Sequence, residues 1–355
     1  MELSLKENCS DAMKHLEAFW RGEYIGRPLV LATAPREDAS LPPQEPNDYK
    51  SKWSDIDYLL DLDDYNTASV HWMGDIIPAT SAWSLGWCQN YGFPISFQKD
   101  TLWMEHSIAD WNIEIAWDNL WRDEWWLRAL EYTERSCIRA QGKYYAGAFG
   151  QMPPNDHLST LRGADKFLVD LIDKPEIIKN AQRTMTQILL RMHRELYAIR
   201  RKYFDGSLFH YPIWCPDYVG TWQSDVSAMI SPDMYKEFIL PELQMAADEF
   251  DKMIYHLDGP DAIKHLGNIC SIEKIHLIQW VPGAGQPWGA YWLDLYKRIQ
   301  SYGKAVLIYT CPEEVELLIR ELDPAKTVLQ FSVPSHKEGI ETIENICWFT
   351  KKYHG

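Results

Sequence analysis

The stretch Ser231–Gly285, SPDMYKEFILPELQMAADEFDKMIYHLDGPDAIKHLGNICSIEKIHLIQWVPGAG, decides the fold of this chain. Ser231-Pro232 is an N-cap serine followed by proline in the first helical turn. An amphipathic helix follows and leads into a short apolar strand ending in His256-Leu257-Asp258-Gly259. A second helix and a second apolar strand, ending at Trp280, repeat the pattern. Two βα units in succession predict parallel strands, because the helix supplies the crossover that parallel pairing needs. In a closed α/β barrel the active site lies at the C-terminal ends of the strands. His256 and Asp258 are therefore predicted at such a mouth.

Working outward, short apolar runs rich in β-branched residues predict eight strands: Pro28–Thr33, Ser69–Asp75, Tyr144–Phe149, Ser207–Ile213, Met253–Leu257, Ile275–Trp280, Ala305–Thr310 and Thr327–Val333. Helical periodicity fills most gaps. Ser10 is read as the cap of a first helix through Phe19, Glu124–Gln141 as a long amphipathic helix, and Pro175 as the start of one running to about Tyr203. Pro312-Glu313-Glu314 opens another helix, and Lys337–Lys352 is the last. The expectation is an α/β fold, a (β/α)8 TIM barrel with an N-terminal helix. Residues 34–66 read as a long loop over one rim. Residues 88–123 read as a β-hairpin excursion after the second strand, lying over the barrel mouth. With no repeat or linker in view, residues 1–355 are expected to form one domain.

The totals narrow the function. A net charge of −16 argues against nucleic acid and anionic membrane surfaces as partners. Seven cysteines without paired spacing read as free thiols. The N-terminus has no apolar h-region and no apolar run reaches membrane-spanning length, so a cytoplasmic protein is expected. Seventeen tryptophans are far above ordinary usage. Those at predicted strand ends, Trp214, Trp222, Trp280 and Trp288, suggest an aromatic-walled pocket; bulky core packing is the other reading.

Three segments carry a resemblance to the uroporphyrinogen decarboxylase superfamily, spread over most of the chain. Gly74-Asp75-Ile76-Ile77-Pro78 is similar to the family's S-D-I-hydrophobic-hydrophobic-P turn, where an aspartate reaches the barrel mouth. SPDMYKEFILPEL, residues 231–243, is close to the family's S-P-x-x-F-x-E-F-x-x-P-x-L helix, and His256–Gly259 stands where the next strand should end. Tetrapyrrole decarboxylases carry an arginine-rich R-Q-A-G-R segment after the first strand. Here that place reads Ala32-Thr33-Ala34-Pro35-Arg36-Glu37-Asp38, with too few cations for a polycarboxylate. The resemblance therefore points to the corrinoid-dependent methyltransferase branch. Many of its members hold zinc through an H-x-C pair at this strand end and a second cysteine near the last strand. This chain has Asp258 in place of the first cysteine and none in VLQFSVPS; Cys311 is the nearest thiol in sequence.

The implied function is methyl transfer from a small methylated substrate, an aromatic methyl ether, to a corrinoid on a partner protein, with zinc as a second candidate cofactor and a homodimer as a compatible assembly. His256, Asp258 and Cys311 are the candidate metal ligands. Asp75, Asp225, His256 and Asp258 are the candidate catalytic groups, since a leaving heteroatom needs a general acid or a Lewis acid. Trp214, Trp222, Trp280, His210 and Tyr309 are the candidate substrate-binding residues. Two plainer roles stay open: His256 as a hydrogen-bonded structural residue, and Asp258 as the cap of a helix beginning near Pro260. The rival functions are a cofactor-independent decarboxylase of an aromatic or pyrrole-like acid using Asp75, and a non-catalytic small-molecule binding protein.

Overall fold

The computed structural model describes residues 2–80, 93–111, 117–147, 153–209 and 211–355. The chain enters through α1 (Cys9–Trp20), crosses in β1 (Leu29–Pro35), passes α2 (Tyr49–Ser54) and α3 (Ile56–Ala68), and returns in β2 (Val70–Gly74). A hairpin of β3 (Ile95–Phe97) and β4 (Leu102–Met104) precedes α4 (Glu124–Ala140), α5 (Pro154–Arg162), α6 (Ala164–Asp173) and α7 (Pro175–Arg200). β5 (Val219–Trp222) begins a regular alternation. α8 (Pro232–Met234) and α9 (Leu240–Glu249), joined by a π-helical turn over Tyr235–Ile239, lead to β6 (Lys252–Asp258). α10 (Leu266–Cys270) leads to β7 (Ile275–Val281), α11 (Leu293–Ser301) to β8 (Ala305–Tyr309), and α12 (Val315–Glu321) to β9 (Thr327–Ser332). α13 (His336–His354) follows, capped by the Ser335 hydroxyl, which accepts from Glu338 N–H.

The result is a mixed α/β fold on a seven-stranded sheet of order β2-β1-β9-β8-β7-β6-β5. All neighbours are parallel except β1 and β2. Among the described residues the ladder is open between β2 and β5, and the chain there makes only the single bridges Ala79–Tyr145 and Ser207–Cys215.

The period of two along each strand sorts the core. Leu29, Leu31, Ile254, Leu277, Leu307 and Val328 pack on one face with Leu16, Phe19 and Trp20 of α1. Val30, Ala32, Met253, Tyr255, Ile278, Val306 and Leu329 pack on the other face, against the surrounding helices. Trp20 lies edge-on to His276, so α1 covers the end of the sheet where the parallel strands begin.

Several sequence expectations need correction. β2 is antiparallel: Arg36 N–H donates to the Ser69 carbonyl at 2.9 Å, so the chain leaves β1 and returns at the same end, as in a hairpin. The supposed loop 34–66 holds α2 and most of α3. Asp48 and Asp55 cap them, and Ile56, Leu59 and Leu60 supply the buried face. The apolar runs at 144–149 and 207–213 make no regular strand among the described residues; Tyr144, Tyr145, Phe209 and Ile213 are buried as packing groups instead. β5 was not expected. It is short and contains Gly220, where an added Cβ would meet the Phe250 ring at 2.4 Å. α1 starts from Asn8 in the left-handed region rather than from Ser10. The hairpin expected within 88–123 is present as β3–β4 and packs on α4, with Phe97 and Trp125 ring centroids 5.6 Å apart.

Candidate functional site

β6 places His256 and Asp258 on one face, two residues apart and half-buried, at its C-terminal end. Asp225 arrives from the turn after β5. Ligand-capable atoms of Asp225, His256 and Asp258 all lie within 4.8 Å of one another. The structure thus gathers three of the four candidate catalytic residues at the strand ends remote from α1.

The imidazole is held in one orientation. Register pairs His256 with Gln279 on β7, and the Gln279 Oε1 accepts from His256 Nδ1 and, at 2.7 Å, from the Tyr211 hydroxyl. A donating Nδ1–H leaves the lone pair on Nε2, the tautomer of a metal-ligating histidine oriented through its other nitrogen. Gln279 is 1% exposed and Tyr211 is buried, so this support is rigid. Burial pushes the Tyr211 hydroxyl up, and neighbouring Tyr309, Asp225 and Asp258 add to the shift. Burial likewise raises Tyr309.

Asp258 does not cap the following turn. Gly259, at φ 77°, takes the cap position, and Asp258 Oδ1 is buried with no hydrogen-bond partner. A buried carboxylate oxygen left unpaired is costly, so such an atom calls for an explanation. A cation supplies one. Desolvation raises the Asp225 carboxyl and Asp258 repels its charge, while His256 opposes both. Two carboxylates and an imidazole are acceptable zinc ligands, and their donor atoms already lie within 4.8 Å of one another. The residues present therefore fit a divalent ion.

The other candidates fall elsewhere. Asp75 lies at the opposite end of the sheet, because antiparallel β2 brings it beside Val30 near the start of β1. It is 1% exposed and accepts from Arg27 at 2.5 and 2.9 Å, from His15 at 2.9 Å, and from Val30 N–H at 2.9 Å. Burial alone would raise this carboxyl, but the His15 and Arg27 hydrogen bonds and the Arg27 charge hold it below its ordinary value. Asp75 is a buried ion-pair partner, not a group at the mouth. Cys311 is exposed and stands outside the trio.

Strand parity also relocates the tryptophans. Gln279 faces His256, so Trp280 points to the other face, where it packs edge-on against Trp292, 5.0 Å between centroids. Trp222, beside Tyr255, joins the same outer core. Trp214 donates to the Asp205 carbonyl and accepts from Trp20, with α1. Trp288 is different: half exposed, it stands edge-on to Tyr309, 5.7 Å between centroids, near the β8 end. His210 lies outside the described residues.

Sequence reasoning missed Gln279 and a buried support behind Asp225. Asp156, in the first turn of α5, accepts from Val226 N–H at 2.9 Å and from Asp225 N–H at 3.0 Å. Gln279 was open to detection, since it is the register partner of His256 on the next strand. Asp156 bonds to backbone groups some seventy positions away and carried no local signal.

No family model and no curated protein matches this sequence. Among solved structures, a methyltransferase from Methanosarcina mazei is similar in fold, with a TM-score of 0.62 at 12% sequence identity over 100% of this chain and 100% of that one.

Proposed function

We propose that this chain is a methyltransferase that takes the methyl group of a small methylated substrate, an aromatic methyl ether, and passes it to a corrinoid carried on a separate protein. The observation that carries the reading is the convergence of Asp225, His256 and Asp258 at the strand ends. The likeness to a solved methyltransferase supports it. We also read the sheet as the wall of an eight-stranded barrel, with the segments around Ala79–Tyr145 and Ser207–Cys215 spanning the gap between β2 and β5.

In the reaction the carbon–oxygen bond breaks, the methyl group goes to the reduced corrinoid, and the oxygen keeps the electron pair and takes up a proton. A zinc ion on Asp225, His256 and Asp258 would supply Lewis acidity toward that oxygen. Hard oxygen and nitrogen donors with two negative charges balance a dication and suit an oxygen leaving group better than a thiol. Gln279 and Tyr211 keep the His256 Nε2 lone pair directed into the site. Tyr309, held protonated by burial, brings a hydroxyl donor against Gln279. Trp288 against Tyr309 gives a flat apolar edge for an aromatic ring. Decarboxylation through Asp75 gains no comparable support, because that carboxylate is committed to Arg27.

The test is methyl transfer from a panel of aryl methyl ethers and methylamines to a reduced corrinoid, followed by the methyl–cobalt absorption spectrum, with zinc-loaded protein. Turnover with ethers that is lost in His256→Ala is the expected result. No methyl–cobalt product across the panel overturns the proposal.

A further inference from the structure

His256 and Asp258 are placed by a strand, but Asp225 sits on a turn between β5 and the single 3-10 turn Val226–Met229, and its own side chain makes no cap there. What fixes that turn lies behind it. Asp156 is 7% exposed, and its two carboxylate oxygens accept separately from Asp225 N–H and Val226 N–H. Next to it, Asn155 is fully buried; its Oδ1 accepts from the Ser224 hydroxyl at 2.9 Å, and its Nδ2 donates to Glu242 Oε1. Glu242 is 3% exposed and belongs to the SPDMYKEFILPEL helix. Consecutive residues of α5 thus grip residues 224, 225 and 226, and the helix that marks the sequence anchors the grip.

We propose that Asp156 is a positioning residue, which aims the Asp225 carboxylate at His256 and Asp258 and so sets the affinity of the trio for a divalent ion. This rests on the trio being a metal site, as proposed above. Both acceptors are needed: an asparagine keeps one oxygen and turns an amide N–H₂ against the other backbone donor. Groups that orient metal ligands from behind are worth about 10–100-fold in metal affinity.

The experiment is a cobalt(II) titration of the whole chain, read by visible absorption, on wild type, Asp156→Asn, Asp225→Ala and the double variant. Asp156→Asn should bind about 10–100-fold more weakly than wild type, with a cobalt spectrum shifted toward that of Asp225→Ala. In the Asp225→Ala background the same change should cost less than about two-fold, because coupled residues are non-additive. A general structural role would give the same loss in both backgrounds and overturn the proposal. So would unchanged affinity in Asp156→Asn. Should Asp156→Asn fail to fold, Ser224→Ala enters the same cycle; it should weaken binding by a smaller factor, and only while Asp225 is present. Wild type that binds no cobalt would instead defeat the metal site itself, a result distinct from loss of the positioning role alone.

Discussion

Replacing Asp75 by asparagine separates the structural acid from the site acids. The side chain keeps its volume, yet the Arg27 guanidinium, 13% exposed, loses the negative partner that both of its NH groups address. Removing one member of a buried ion pair costs about 3–5 kcal/mol, because the remaining charge stays desolvated. At about 2 °C per kcal/mol for a chain of this length, the melting temperature should fall by roughly 6–10 °C. The effect has a pH signature. The folded Asp75 carboxyl is held below its ordinary value, so between that lowered value and about pH 4 the unfolded chain binds the proton first and stability rises with pH. The contribution is fully present above the unfolded value and is lost as pH falls through the folded one. Asp75→Asn should therefore flatten the acid limb of a stability–pH curve while leaving cobalt affinity at the trio unchanged. Calorimetry across pH 2–7 and a metal titration are the assays. Wild-type stability in the variant, or loss of metal binding in a folded variant, would refute the assignment of Asp75 to the far end of the sheet.

Three further outcomes follow from named contacts. His256→Ala should abolish stoichiometric zinc, measured by elemental mass spectrometry, without moving the melting temperature by more than a few degrees. Lys6 donates to the Trp72 and Gly74 carbonyls on the free edge of β2 and is lowered from 10.5 to about 8, chiefly by burial, with Asp75 opposing. Between those values the unfolded chain holds a proton the folded chain has shed, so stability should rise with pH there and the rise should vanish in Lys6→Met. Gly220→Ala drives a methyl into the Phe250 ring and should cost about 1–3 kcal/mol. Phe250→Leu in the same chain should recover part of the loss in a denaturation midpoint.

The second half of the fold was legible because local and tertiary signals agree there. β6, β7, β8 and β9 are apolar runs, each preceded by a helix, and the helical stretches before β6 and β9 open on a proline start signal. The first half is harder to read because there, among the described residues, an apolar run means burial with no more than a single bridge. Tyr144, Tyr145 and Phe209 look like strand residues and are buried, yet Tyr145 makes only a single bridge, to Ala79. The Asp-rich segment before β2 looked like a loop for the opposite reason. Asp48 and Asp55 are helix caps, and their frequency hid the short apolar faces they introduce. Asp75 carried a correct signal, an acid amid apolar residues needing a partner. The partner, Arg27, stands forty-eight positions earlier, and nothing local distinguishes an ion pair from a catalytic acid.

At the site, legibility followed how each residue is held. His256 and Asp258 share a strand, so their spacing fixes their common face before any tertiary contact is known. Placing His256 inward then determines more than the sequence reading took from it. The parallel register sets Gln279 beside it, and parity must turn Trp280 away, into the helices. An aromatic wall built from Trp280 was therefore excluded by the same alternation that predicted the His256–Asp258 pair. Trp288 escapes that constraint because it lies beyond the strand, and its ring comes back beside Tyr309. Asp225 obeys no period at all. Its carboxylate accepts from Gln223 Nε2 at 3.1 Å, and the turn beneath it is held where Asp156 accepts from two backbone N–H groups, a donor that every residue but proline carries. A contact of this kind leaves no trace in residue type on the side that receives it. Supports of backbone turns are thus the part of a site that sequence spacing conceals and structure supplies.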